Sequence, residues 1–167
     1  APTVWAWRPG RAAKMARFVD QVLALFPFEP PYMQAAGLDC DFVGHPVATA
    51  PVASPAEAAG FRAAYGPGPL ILALPGSRGA EVARLSDRFG AALALVARQR
   101  PDTRIVLPAA APVAAQVRTA TRDWPVRPEI IDPADDPDGR RKRAAFAAAD
   151  VALAASGTVS LELAASA

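Results

Sequence analysis

The sequence predicts an α/β fold built on a parallel, doubly wound sheet, and three observations carry that expectation. Two apolar runs, Leu70-Ile71-Leu72-Ala73-Leu74 and Val151-Ala152-Leu153-Ala154-Ala155, lack polar alternation. They read as buried strands of the kind found in parallel sheets with helices on both faces. Each run leads through a small-residue turn into a helix, by way of Pro75-Gly76-Ser77-Arg78 and Ser156-Gly157-Thr158. From Leu70 onward, strand-like and helix-like segments alternate, which is the pattern of successive βα units.

The first stretch follows the same logic in shorter pieces. Thr3-Val4-Trp5-Ala6-Trp7 reads as a strand closed by Arg8-Pro9-Gly10. Residues 11–19 have helical spacing, with Met15, Phe18 and Val19 on one face. Val22-Leu23-Ala24-Leu25-Phe26 is a continuous apolar run and is expected to be a buried strand. Residues 27–36 begin with proline-rich helix-start chemistry and end at Gly37, a good residue just past a helix. Asp41-Phe42-Val43 is a further short strand before Gly44-His45-Pro46. Residues 47–69 are rich in Ala and Pro and read as a linker with a short helix over 55–65.

In the second stretch, a helix over 79–100 places Val82, Leu85, Phe89, Leu93 and Val96 at intervals of three and four. That spacing makes one apolar stripe that can pack on a sheet. Strands follow at 103–107, 127–131 and 151–155, with helices at 113–122 and 142–149, a polar loop at 132–139, and a last helix beginning near Thr158.

Bulk properties narrow the function classes. The chain has 167 residues, 52% of them hydrophobic, enough for a real core and roughly one domain by size. A net charge of +2 makes no case for nucleic acid as a partner. Cys40 is the single cysteine, so no internal disulfide forms and a reducing compartment fits. No run of ~18 or more apolar residues appears that would span a bilayer. The chain begins with Ala and stops inside a predicted helix, so it is expected to be an internal piece of a longer protein.

Ligands of open parallel sheets bind at the carboxyl ends of the strands, where both small-residue turns lie. A strand that delivers backbone to a helix N-terminus gathers unpaired N–H groups and the positive end of the helix dipole, which favours anions. Gly76 allows close approach to the backbone, Ser77 offers a hydroxyl and Arg78 a forked cation. The plainer reading is an ordinary turn with a solvated arginine. Neither G-x-x-x-x-G-K-[ST] nor G-x-G-x-x-G is present. Ser156-Gly157-Thr158 either extends the anion site or simply caps its helix. Glu162, near the first turn, either accepts hydrogen bonds from ribose hydroxyls or is a favourable charge at the helix dipole, worth ~0.3–1 kcal/mol. Two such turns in one sheet suggest a diphosphate site.

Other candidates are open in the same way. His45 is the single histidine, so a metal site of several histidines is excluded and no metal is expected. It either bonds a phosphate or hydroxyl, or packs in a turn before Pro46. Trp5, Trp7, Phe26, Phe28 and Tyr32 either line a groove for acyl chains or pack a core. Arg140-Arg141-Lys142-Arg143 reads as a solvated surface run, with contact to anionic lipid headgroups as the alternative. No catalytic triad or carboxylate pair stands out, and neither Asp20 nor Glu29 is named as a base.

Five stretches in order resemble the lipid-A-disaccharide synthases: Val4-Trp5-Ala6-Trp7-Arg8-Pro9-Gly10-Arg11, Leu25-Phe26-Pro27-Phe28-Glu29, Phe42-Val43-Gly44-His45-Pro46, Leu74-Pro75-Gly76-Ser77-Arg78, and Ala155-Ser156-Gly157-Thr158-Val159-Ser160-Leu161-Glu162. They span nearly the whole chain. The resemblance implies a glycosyltransferase of the GT-B fold, two Rossmann-like domains facing across a cleft. Residues 1–46 would be the tail of the N-terminal acceptor-side domain, 47–69 a linker, and 70–167 most of the C-terminal UDP-sugar-binding domain. It implies inverting transfer of 2,3-diacylglucosamine from UDP-2,3-diacylglucosamine to 2,3-diacylglucosamine 1-phosphate. That reaction would take place at the cytoplasmic face of the inner membrane, in a peripheral protein that needs no cofactor and is a homodimer at full length.

By the same resemblance, Gly76, Ser77, Arg78, Ser156, Gly157 and Thr158 would face the UDP diphosphate and Glu162 would hold the ribose. Trp7, Arg8 and His45 would be substrate-contacting. The general base would lie upstream of this chain, so no catalytic residue is assigned and the fragment is expected to be inactive alone. Val47-Ala48-Thr49-Ala50 lacks the Asp often found after the histidine. The competing readings are another UDP-sugar enzyme of GT-B type, such as a UDP-N-acetylglucosamine transferase or epimerase, and a UDP-binding module without catalysis.

Overall fold

The computed structural model describes residue 8 and residues 10–167. The strand expected over residues 3–7, with Trp5 and Trp7, lies outside them. The chain divides into two compact units, residues 1–50 and 51–167.

In the first unit, helix α1 (Gly10–Met15), strand β1 (Gln21–Ala24), helix α2 (Pro30–Gln34) and strand β2 (Asp39–Phe42) are followed by a single 3-10 turn at Pro46–Thr49. The two strands pair in parallel, with Val22 opposite Cys40. Ala12, Val22, Ala24, Met33, Leu38 and Cys40 form the small core.

The ends of the first helix and of the first strand differ from expectation, each for a local reason, while the ending of α2 is the one the sequence predicts. The first helix stops at Met15, because Phe18 and Val19 N–H both turn back to the Met15 carbonyl. Phe18 is left 85% exposed, and the expected Met15–Phe18–Val19 face does not form. Strand β1 ends at Ala24 because the buried Glu29 carboxylate accepts the Leu25 and Phe26 N–H groups, at 3.1 and 3.0 Å, and bends the chain into a turn. Helix α2 closes with Gly37 at φ +80, where Leu38 N–H bonds the Met33 carbonyl and Gly37 N–H that of Gln34. This is a Schellman ending, which requires the left-handed residue that glycine supplies.

The second unit contains α3 (Pro55–Ala63), β3 (Leu70–Leu74), α4 (Gly79–Gln99), β4 (Arg104–Pro108), α5 (Ala114–Ala120), β5 (Glu129–Ile131), α6 (Arg140–Ala148), β6 (Val151–Ala154) and α7 (Val159–Ser166). Its strands form one parallel sheet in the order β5-β4-β3-β6. Every residue of β3 is buried. Ile71 and Ala73 face Val82, Phe89 and Leu93 of α4 together with Val117 and Trp124, while Leu70, Leu72 and Leu74 face Ala145 and Phe146 of α6. The sheet is therefore covered on both faces, and the fold is a parallel, Rossmann-like α/β arrangement.

Two details depart from the sequence reading. Val96, the last residue of the α4 stripe, is 38% exposed. A 21-residue helix runs about 31 Å against about 17 Å for a five-residue strand, so its end overshoots the sheet. Strand β6 is half-buried rather than buried, with Val151 exposed, because among the described residues it has a neighbour only on its β3 side.

The helix of the 47–69 stretch belongs to the second unit rather than to an open connection. Phe61 and Tyr65 pack on the β3–α6 core. Asp150 accepts Arg62 Nη1 and the Leu70 N–H, both at 2.7 Å, and Arg62 Nη2 donates to the Gly68 carbonyl. A capping box between Ser54 and Glu57 starts the helix.

Candidate functional site

Strands β3, β4 and β5 are laid down in one direction across the sheet, and β6 is then added on the opposite side of β3. The reversal point of a parallel sheet opens a crevice at the carboxyl ends of the two strands that flank it. Here those strands are β3 and β6, in register with Leu74 opposite Ala154. The Ala155 N–H donates to the Leu74 carbonyl at 2.8 Å, so the two turns begin side by side. Gly76, Ser77 and Arg78 from one turn and Ser156, Gly157 and Thr158 from the other line a single cavity of about 380 Å³, with Glu162 and Lys142 in its wall.

The first turn is folded tightly against α4. Gly76 has φ +132, and a Cβ there would stand 2.6 Å from Glu81 Cβ and 2.7 Å from Glu81 Oε2. Only glycine fits. Glu81 Oε2 accepts the Ser77 N–H at 3.2 Å and Oε1 accepts Arg78 Nη1 at 2.9 Å. The Arg78 guanidinium, and then the Ser77 N–H, hold the Glu81 carboxyl below the usual carboxylate range. The Arg78 side chain is otherwise 79% exposed.

Neither helix N-terminus at the cavity is capped by its own side chain: Arg78 makes no cap bond to α4, and Thr158 makes none to α7. The simple capping reading of Ser156-Gly157-Thr158 is therefore not what the structure adopts. In the first turns the Glu81, Ser160 and Leu161 N–H groups already bond the Arg78, Gly157 and Thr158 carbonyls, which leaves the Gly79, Ala80 and Val159 N–H groups and the two positive helix ends for an anion. Glu162 lies in the first turn of α7 and accepts Lys142 Nζ on Oε2 at 2.7 Å. Each side-chain cation of the cavity thus faces one carboxylate, Arg78 to Glu81 and Lys142 to Glu162. Backbone N–H groups and helix dipoles supply the uncompensated positive potential.

Lys142 and Glu81 escaped the sequence reading. Glu81, three residues past Arg78, was visible as an i,i+3 partner. Lys142 had no comparable signal, because its partner is twenty residues away. The basic run that contains it is not a uniform solvated face: Arg140 pairs with Glu57, Arg141 with Glu129, Arg143 donates to the Asp138 carbonyl, and Lys142 turns into the cavity.

The remaining candidates lie in the first unit, except Trp7, which lies outside the described residues. Arg8 is exposed. His45 is half-buried. Its Nδ1 accepts the Val47 N–H at 3.1 Å and so starts the 3-10 turn, and its ring lies 5.6 Å from that of Phe26. Phe26 stacks on Phe28 at 5.4 Å, above the turn that Glu29 organises. No three His, Cys, Asp or Glu side chains cluster as a metal site among the described residues. Among those residues, too, no helix is long and apolar enough to cross a membrane.

The family model described as lipid-A-disaccharide synthetase matches residues 1–167. The chain is 59% identical over 170 residues to the lipid-A-disaccharide synthase of Ruegeria pomeroyi, covering 99% of this chain and 42% of that protein. It is 50% identical over 171 residues to the one from Rhodospirillum centenum (98% and 40%) and 46% identical over 169 residues to one from Rhodopseudomonas palustris (98% and 41%). The chain spans about 40% of the length of these relatives. With its whole length matched, the chain belongs to the lipid-A-disaccharide synthetase family.

Proposed function

We propose that the protein carrying this chain is a lipid-A-disaccharide synthase of GT-B type and that the cavity between β3 and β6 holds the UDP of its donor. The reaction is inverting transfer of 2,3-diacylglucosamine from UDP-2,3-diacylglucosamine to 2,3-diacylglucosamine 1-phosphate, with release of UDP. The observation that carries the reading is the convergence of two uncapped helix N-termini on one cavity at the sheet's reversal point.

In this reading the two turns cradle the diphosphate. Gly76 lets the backbone approach it, Arg78 adds a charged bond, and Glu162 accepts from the ribose hydroxyls. Charge builds on the β-phosphate as the glycosidic bond breaks, and preoriented N–H groups stabilise it where it develops. Binding the uridine end also holds the anomeric carbon for attack by the acceptor hydroxyl from the opposite face. No residue of this chain is assigned as the base, which the proposal places in a preceding domain. Residues 1–46 are then the tail of that domain, with Trp7, Arg8 and His45 proposed as substrate-contacting. The acylated substrates call for a peripheral protein at the cytoplasmic face of the inner membrane, and the full-length protein is proposed as a homodimer.

Donor choice tests the proposal in the full-length protein. Turnover of UDP-2,3-diacylglucosamine and not of UDP-N-acetylglucosamine is expected. The opposite preference would assign the cavity to another UDP-sugar enzyme, and UDP binding with no transfer from either donor would reduce it to a binding module.

A further inference from the structure

Lys142 stands where local preference does not favour a cation. It is in the first turn of α6, at the positive end of the helix dipole, among three arginines. The structure nonetheless fixes it at both ends. Its backbone N–H is held by the buried Asp136 carboxylate at 2.8 Å. Its Nζ lies 5.2 Å from the centroid of the Phe146 ring and donates to Glu162 Oε2 at 2.7 Å. A placement that local sequence opposes, kept by contacts from three directions, is the kind of inconsistency that marks functional positions.

The consequence falls on Glu162. Its Oε2 is engaged by Lys142, while Oε1 makes no hydrogen bond with the described residues and the residue lines the cavity. A carboxylate alone on a helix samples several rotamers. Tethered through one oxygen, it presents the other in a fixed direction.

We infer that Lys142 is a positioning residue that pins Glu162 so that its free oxygen accepts from a nucleotide ribose, and thereby sets the preference for ribonucleotides over 2′-deoxyribonucleotides. This rests on the reading of the cavity as a uridine diphosphate site. A carboxylate oxygen accepts more than one donor, so vicinal hydroxyls bind while Lys142 stays in place.

Calorimetric titration of UDP and 2′-deoxy-UDP into the full-length protein tests it, with Lys142→Met, Lys142→Gln and Glu162→Ala compared. The unsubstituted protein is expected to prefer UDP about tenfold, the order of one hydrogen bond to a charged group. Glu162→Ala, which leaves no acceptor, removes that preference. Both Lys142 variants reduce it to about threefold or less, by weakening UDP more than 2′-deoxy-UDP. An undiminished preference in the Lys142 variants overturns the inference. So does an equal loss for both nucleotides, which would move Lys142 onto the phosphates. If Glu162→Ala keeps the full preference, or the unsubstituted protein does not bind UDP, the reading of the cavity itself has failed and the inference falls with it.

Discussion

Arg78 and Glu81 are joined by a 2.9 Å bond across the first turn of α4, and the same carboxylate accepts the Ser77 N–H at 3.2 Å. The glutamate therefore shapes the turn and offsets the guanidinium charge, and in the proposed reading a bound diphosphate competes with it for Arg78. A diphosphate carries more charge than one carboxylate, and Arg78 is exposed enough to swing toward it.

Arg78→Ala is expected to weaken UDP binding by ~1.5–3 kcal/mol, the range for a hydrogen bond to a charged group. Uridine, which lacks phosphates, should bind both forms alike. Titrating UDP and uridine against the two proteins checks this, and equal UDP affinity would remove Arg78 from the site.

Gly76→Ala places a methyl group 2.6 Å from Glu81 Cβ at a φ that side chains rarely adopt. The turn must open, at a cost of ~1–3 kcal/mol. Both thermal stability and UDP affinity are expected to fall. A variant that melts and binds like the parent would mean that the turn is looser than its geometry indicates.

Gly90→Ala probes packing far from the cavity. A Cβ at Gly90 would stand 2.7 Å from Trp124 Cδ1, on the α4 face of the sheet. Overpacking of this kind costs ~1–3 kcal/mol. Denaturant unfolding should show a lower midpoint, with UDP affinity of the remaining folded protein unchanged; coupled loss of both would show that the two regions communicate.

Asp150 ties α3 to the sheet and gives a pH signature. The Leu70 N–H, and then the Arg62 guanidinium, hold its carboxyl below the usual carboxylate range. Its folded pKa is depressed, so its contribution is present above the unfolded value of about 3.9 and is lost as pH falls through the folded one. Asp150→Asn should melt lower than the parent at pH 7, with the gap closing below about pH 4. A gap that stays constant from pH 7 to pH 2.5 would contradict the role given to the ion pair.

The sequence by itself determined the order and type of nearly every element. Leu70–Leu74 is strand to the residue, and α4 carries its apolar residues at helical spacing, because both patterns are local and their periods are distinct. It also carried the two small-residue turns and the family resemblance. At the end of β1 local reading failed because the Glu29 side chain intervenes from within the following turn. Only the tertiary structure decided that β6 lies beside β3 and not beside β5, which makes two distant turns one cavity. Only the tertiary structure, too, drew Lys142 out of a basic run to meet Glu162. Strand order and long-range ion pairs depend on which surfaces the helices cover when the whole sheet is packed, and no window of neighbouring residues contains that information.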